Sequence, residues 1–145
     1  MRALRAFTVV VLGLGLIAAA CGSGGSSESP AQAKAKITAN WQRFFDPSVP
    51  VAQKTDIIEN YNGLKPILDA QSNSPQAKSI KAAVKDVTLQ GSGSAKVDYD
   101  ILNAQTGDSL LHSSGVAVKQ SGTWKVSQQT FCALIKLSDQ NAKCP

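Results

Sequence analysis

Val116-Ala117-Val118-Lys119-Gln120-Ser121-Gly122-Thr123-Trp124-Lys125-Val126 is two alternating runs joined by a turn. Apolar and polar residues alternate on both sides of Ser121-Gly122, the pattern of a hairpin with one buried and one wet face. Register separates two loop lengths. A two-residue loop at Ser121-Gly122 pairs Val118 with Lys125 and Lys119 with Trp124, apolar against charged on both faces. A three-residue loop, Gln120-Ser121-Gly122, pairs Val118 with Trp124 and Val116 with Val126. It also sets Gly122 where a bulged turn needs a left-handed residue. The pairing favours the three-residue loop.

The same two-residue period reaches back to Ala82. Val87 and Leu89 alternate with Asp86, Thr88 and Gln90. After Gly91-Ser92-Gly93-Ser94, Val97, Tyr99 and Ile101 alternate with Lys96, Asp98 and Asp100. Thr106-Gly107-Asp108 is the next turn. Strand three is expected over Leu110–Lys119 and strand four over Thr123 to about Gln128, an antiparallel meander. His112 shares parity with Leu110, Val116 and Val118, so a regular strand points it inward. A bulge at Gly115 reverses that and leaves His112 on the surface or rim, which is the expectation.

Upstream the period is helical. Ala33, Ile37, Trp41, Phe44 and Phe45 share a face from about Ala31, and Asp46-Pro47 ends the helix. Ser48 and Pro50 predict a second helix burying Val51, Ile57, Ile58 and Tyr61, with Asn62-Gly63 as its stop. A third short helix is expected over about Lys65–Ala70, and one more turn over residues 76–80. After the strands, Thr130 caps a short segment carrying Phe131, Cys132, Leu134 and Ile135. Helices followed by a curved sheet and a short final helix give an α+β class, with helices on one face of four antiparallel strands. The first helix then lies across the concave face. Trp41 and Phe45 meet Tyr99, Val118 and Trp124, a set that either fills the core or lines a pocket for an apolar ligand.

The 145 residues hold 15 basic and 10 acidic side chains, for a net +5, with 43% apolar and 17% charged. That is a single globular domain's worth of chain. The one basic cluster, Lys78, Lys81 and Lys85, lacks interleaved aromatics, so no nucleic-acid partner is expected. One His and three Cys leave no metal or haem ligand set. Asp86, Asp98 and Asp100 fall on the polar strand faces, so no carboxylate is aimed inward for acid–base work. Gly91-Ser92-Gly93-Ser94 lacks the strand–loop–helix context of a phosphate cradle. No catalytic residue and no cofactor are assigned, and a non-enzymatic protein is expected.

Residues 1–20 pair Arg2 and Arg5 with an uncharged run, Ala6–Ala20, too short to span a bilayer, as in a secretory signal peptide. Ala18-Ala19-Ala20-Cys21 resembles the bacterial lipobox, in which the Cys thiol is acylated and becomes the first mature residue. An ordinary signal peptide with an incidental Cys is the alternative. Residues 21–30, the lipidated Cys21 and Gly22-Ser23-Gly24-Gly25-Ser26-Ser27-Glu28-Ser29-Pro30, form a flexible tether, and 31–145 the domain. Two acyl chains anchor stably where one does not. Cys132 and Cys144 remain as an even pair in an oxidising compartment, or as two free thiols.

Gly115–Ser127, then Thr130-Phe131-Cys132-Ala133-Leu134 and the closing Cys144, resemble the low-molecular-weight antigen family of actinobacterial secreted proteins and lipoproteins. Ile37-Thr38-Ala39-Asn40-Trp41, Phe44-Phe45-Asp46 and Lys54–Glu59 resemble that family's opening helices. The resemblance covers residues 35–145. It implies a cone-shaped, nuclear-transport-factor-2-like domain, an envelope location and a Cys132–Cys144 disulfide, and it implies no reaction. The expectation is a protein on the outer face of the plasma membrane, held by lipid at Cys21, that acts by binding an envelope protein. The alternative is a carrier or sensor of a small apolar or lipid-like ligand.

Overall fold

α1 (Pro30–Phe45) starts on a capping box. Ser29 Oγ accepts from Gln32 N at 3.2 Å, Gln32 Oε1 accepts from Ser29 N at 3.0 Å, and Pro30 opens the first turn. The computed structural model describes residues 28–145. The expected signal segment, Cys21 and the tether as far as residue 27 lie outside them. The domain is already ordered at Glu28, three residues before the expected start. Glu28 accepts from Trp124 Nε1 and from Lys119 Nζ, both at 2.8 Å, and pairs with Lys36 at 2.9 Å.

The sheet is the expected meander, β1 (Ile80–Leu89), β2 (Ser94–Asn103), β3 (Ser109–Gln120) and β4 (Thr123–Val126), in the order β1-β2-β3-β4. It curls into a half-barrel around α1. Ala95, Val97, Tyr99 and Ile101 of β2 turn inward onto Ile37, Trp41 and Phe44, all nearly solvent-free. α4 (Gln128–Ser138) closes one side, tied by the Cys132–Cys144 disulfide with Cα atoms 5.9 Å apart.

The last hairpin corrects the expected register. Ala117 pairs with Val126, Val118 with Lys125 and Lys119 with Trp124. Ser121 (φ 49°) and Gly122 (φ 80°) form a two-residue loop with positive φ at both positions, which matches strand twist. The charged–apolar pair that argued against it is satisfied. Lys119 Nζ lies 5.6 Å from the Trp124 ring centroid and bonds Glu28, so the ammonium has both an aromatic face and a carboxylate.

This register makes Gly115 and Ala117 the inward residues of β3. Val118 is on the opposite face, and His112 points out beside Asp100, its Nδ1 donating at 2.8 Å. His112 is exposed as expected, without a bulge at Gly115. Gly115 is a slot instead. A Cβ there would overlap the Thr130 side chain and lie 3.0 Å from Trp41 Cη2. β4 ends at Val126 rather than near Gln128, because Ser127 caps α4: its Oγ accepts from Thr130 N at 3.1 Å. Thr130 is buried inside the helix, its Oγ1 accepting from Val116 N at 2.8 Å.

The middle helices also differ from expectation. Val51–Lys54 is one 3-10 turn. The chain then extends so that Ile58 makes a parallel bridge to Val126, with Val126 N donating to Ile57 O and Glu59 N to Val126 O, both at 2.9 Å. The expected stop is a start: α2 (Tyr61–Ser72) begins after Asn60 in left-handed backbone (φ 52°) and runs past Pro66. Gly63 lies under the Asn60 side chain, whose amide is 2.6 Å from where a Cβ would lie and would have to swing aside for one. α3 (Pro75–Lys78) is the expected extra turn.

Candidate functional site

At one end of the half-barrel β1 begins, β2 ends and β3 begins. α1 ends there too, and α2, α3 and α4 converge on the same end. Their apolar side chains leave a groove of about 480 Å³, within the size range of small-molecule sites. Phe44, Leu68, Ile101, Phe131 and Ile135 form its buried wall. Leu110, Leu111 and Leu137 stand at its mouth, 57%, 41% and 68% exposed.

Local sequence explains the wall. Phe131, Leu134 and Ile135 share a face of α4 at helical spacing. Phe44 packs edge-on against Phe131 at 5.6 Å and Phe45 at 5.0 Å. Leu110 and Leu111 are adjacent, which regular alternation forbids on one face. The register shifts there, Ile101 pairing with Leu111 and Leu102 with Ser109, and both leucines reach the groove.

The polar contribution is small. Lys54 Nζ sits 5.6 Å from the Phe44 ring centroid and donates to the Asp46 carbonyl at 3.2 Å. Burial lowers its pKa from the ordinary lysine value. The Asp46 carboxylate accepts from Ser48 N at 2.8 Å and Ser48 Oγ at 2.6 Å, which holds it below the usual carboxylate range. Lys78 is an exposed second cation at the rim. No acidic, histidine or cysteine side chain lines the groove among the described residues.

Of the five residues expected around a pocket, Phe45 alone lines the groove. Trp41 and Tyr99 fill the core, 1% and 0% exposed, with ring centroids 5.2 Å apart. Phe45 stacks on Tyr99 at 5.7 Å and so joins core to groove. Burial pushes the Tyr99 phenol above its ordinary pKa. Trp124, 2% exposed, belongs to the Glu28 cluster near the β3–β4 turn, at the other end of the sheet, and Val118 faces away. The Leu110-Leu111 doublet and the Phe131–Leu134–Ile135 face were the sequence signals for the groove.

The family description for the C-terminal domain of low molecular weight antigen MTB12 matches residues 30–142. The chain belongs to the MTB12 low molecular weight antigen family. No curated protein matches it. As an MTB12-family domain it is a secreted or envelope protein. The matched residues begin at Pro30, where α1 begins, and include every strand and α4.

Proposed function

We propose that this MTB12-family domain is a non-catalytic, lipid-anchored envelope protein that binds a small apolar ligand in the groove at the end of its half-barrel. The observation that carries the reading is the groove itself: about 480 Å³ walled by aromatic and aliphatic side chains, with a leucine mouth open to solvent. Concave, mostly apolar clefts of this size are the usual form of small-molecule sites. Walls without an acid, a histidine or a thiol favour binding over catalysis.

Uptake of a neutral fluorescent naphthylamine probe tests the reading. The wild type is expected to enhance its emission saturably, and Leu111→Asp and Leu137→Asp to abolish this with melting temperatures nearly unchanged, since both side chains are exposed. Undiminished uptake by both variants would dismiss the groove. The anchor rests on Ala18-Ala19-Ala20-Cys21. Cys21→Ala is expected to move the protein from membranes to the medium or leave the precursor uncut. A processed variant still in the membrane fraction would rule the anchor out.

A further inference from the structure

Lys54 is a half-buried cation beside an apolar groove, with no carboxylate within salt-bridge distance among the described residues. Its ammonium has one hydrogen bond, to the Asp46 carbonyl, and it enters no salt bridge among the described residues. The Asp46 carboxylate attracts it only through space, while its Oδ1 accepts both bonds from Ser48. An ammonium has three donors, so two remain for a ligand. Partly buried charge without a direct ion pair is costly, and the groove lining holds no carboxylate.

We infer that the groove's ligand is a single-chain amphiphile with a carboxylate head, a long-chain fatty acid, whose chain lies along Phe44, Phe131 and Ile135 and whose head pairs with Lys54. This rests on the groove being a ligand site, as proposed above. Charge complementarity selects the head. A single half-buried ammonium neutralises one negative charge. A phosphate monoester would bring nearly two, and the second cation, Lys78, is an exposed side chain on α3. A cationic or zwitterionic head would meet Lys54 with repulsion or with a surplus ammonium of its own. The volume suits one chain better than the two of a membrane phospholipid, because it lies in the lower half of the range for small-molecule sites. Burial of successive methylenes supplies affinity and the head supplies selectivity.

Displacement of the naphthylamine probe from the full-length protein, below each amphiphile's aggregation limit, separates the possibilities. The chain-matched competitors are hexadecanoate, its methyl ester, hexadecanol, hexadecyl phosphate and hexadecyltrimethylammonium. Hexadecanoate is expected to compete at least about tenfold more tightly than ester or alcohol, and more tightly than the phosphate. Lys54→Gln is expected to reduce hexadecanoate to the level of the alcohol without changing the alcohol, Lys54→Arg to retain the preference, and Lys78→Gln to leave it nearly intact. Equal competition by acid, ester and alcohol on the wild type overturns the carboxylate assignment, whether or not Lys54→Gln folds, while leaving the groove an apolar site. Preference for the phosphate, or an unaltered acid preference in a folded Lys54→Gln protein, overturns it as well. Failure of every competitor and of the probe itself refutes the site. Light scattering covers the remaining occupant: a dimer that excludes the probe until diluted would show a second copy in the groove, against the inference.

Discussion

At residue 115 the fold allows no side chain. Gly115 brings β3 against Trp41 and Thr130, and a methyl group there would overlap the Thr130 side chain. Overpacking of this kind costs about 1–3 kcal/mol. Gly115→Ala is therefore expected to lower the urea midpoint accordingly without altering the slope; an unchanged midpoint would mean the slot is loose. Trp41, 1% exposed and edge-on to Tyr99, makes the opposite experiment. Trp41→Ala is expected to lose about 3–5 kcal/mol while the groove still takes up probe, since Trp41 lines no part of it. The aromatic core was legible because Ile37, Trp41, Val97 and Tyr99 obey their periods. The pairing of Lys119 with Trp124 was not. Locally it sets a charge against an apolar ring, and its counter-charge, Glu28, comes from 91 residues away. No window of alternating residues contains that information.

Among the elements, strands read more faithfully than helices. Four runs of period two became four strands in sequence order, because each carries one buried face. The segment 48–72 reads differently in the structure because Asn62-Gly63 has the composition of a helix stop, whereas Asn60 in left-handed backbone starts α2 and its side chain folds over Gly63. The start of α1 was available in Ser29-Pro30-Ala31-Gln32, a capping-box spacing with Pro in the first turn. The groove was hidden for a related reason: its mouth depends on a shifted register at Leu110, and strict alternation conceals such shifts. α4 owes part of its position to the Cys132–Cys144 link, which closes a separation of 12 residues. Cys132→Ser is expected to cost about 2–4 kcal/mol in denaturant melts, and alkylation of the unfolded, unreduced wild type is expected to find no free thiol in this pair. Thiol labelling at either position would contradict the link.

For the whole molecule, a contact between residues 96 apart in sequence, Glu28 with Trp124, is expected to contribute to acid stability. Glu28 joins the N-terminal end of α1 to β3 and β4. The Lys119 hydrogen bond, then those of Lys36 and Trp124, lower its pKa from 4.5 to about 2. Asp100 is also held below the usual carboxylate range, by His112 first and then Lys85. A carboxylate lowered in the folded state adds stability that is present above its unfolded value and lost as pH falls through its folded one. Melting temperatures are therefore expected to decline between about pH 4.5 and pH 2, with a shallower decline in Glu28→Gln. Parallel declines in the two proteins would remove Glu28 from the cause. The bridge from Ile58 to Val126 has a different consequence. It occupies the outer edge of β4, so β1 is left as the sheet's unpaired edge among the described residues. Unpaired edges template fibril growth, and natural sheets blunt them with bulges and lysines. β1 has both: its register slips between Val84 and Asp86, and the extra residue is Lys85, with Lys81 also exposed. Deleting Lys85 would straighten the strand while keeping Val84 opposite Tyr99 and Asp86 opposite Asp98. A protein so altered would meet its own copies edge to edge, and agitation would turn a clear solution into thioflavin-binding aggregate.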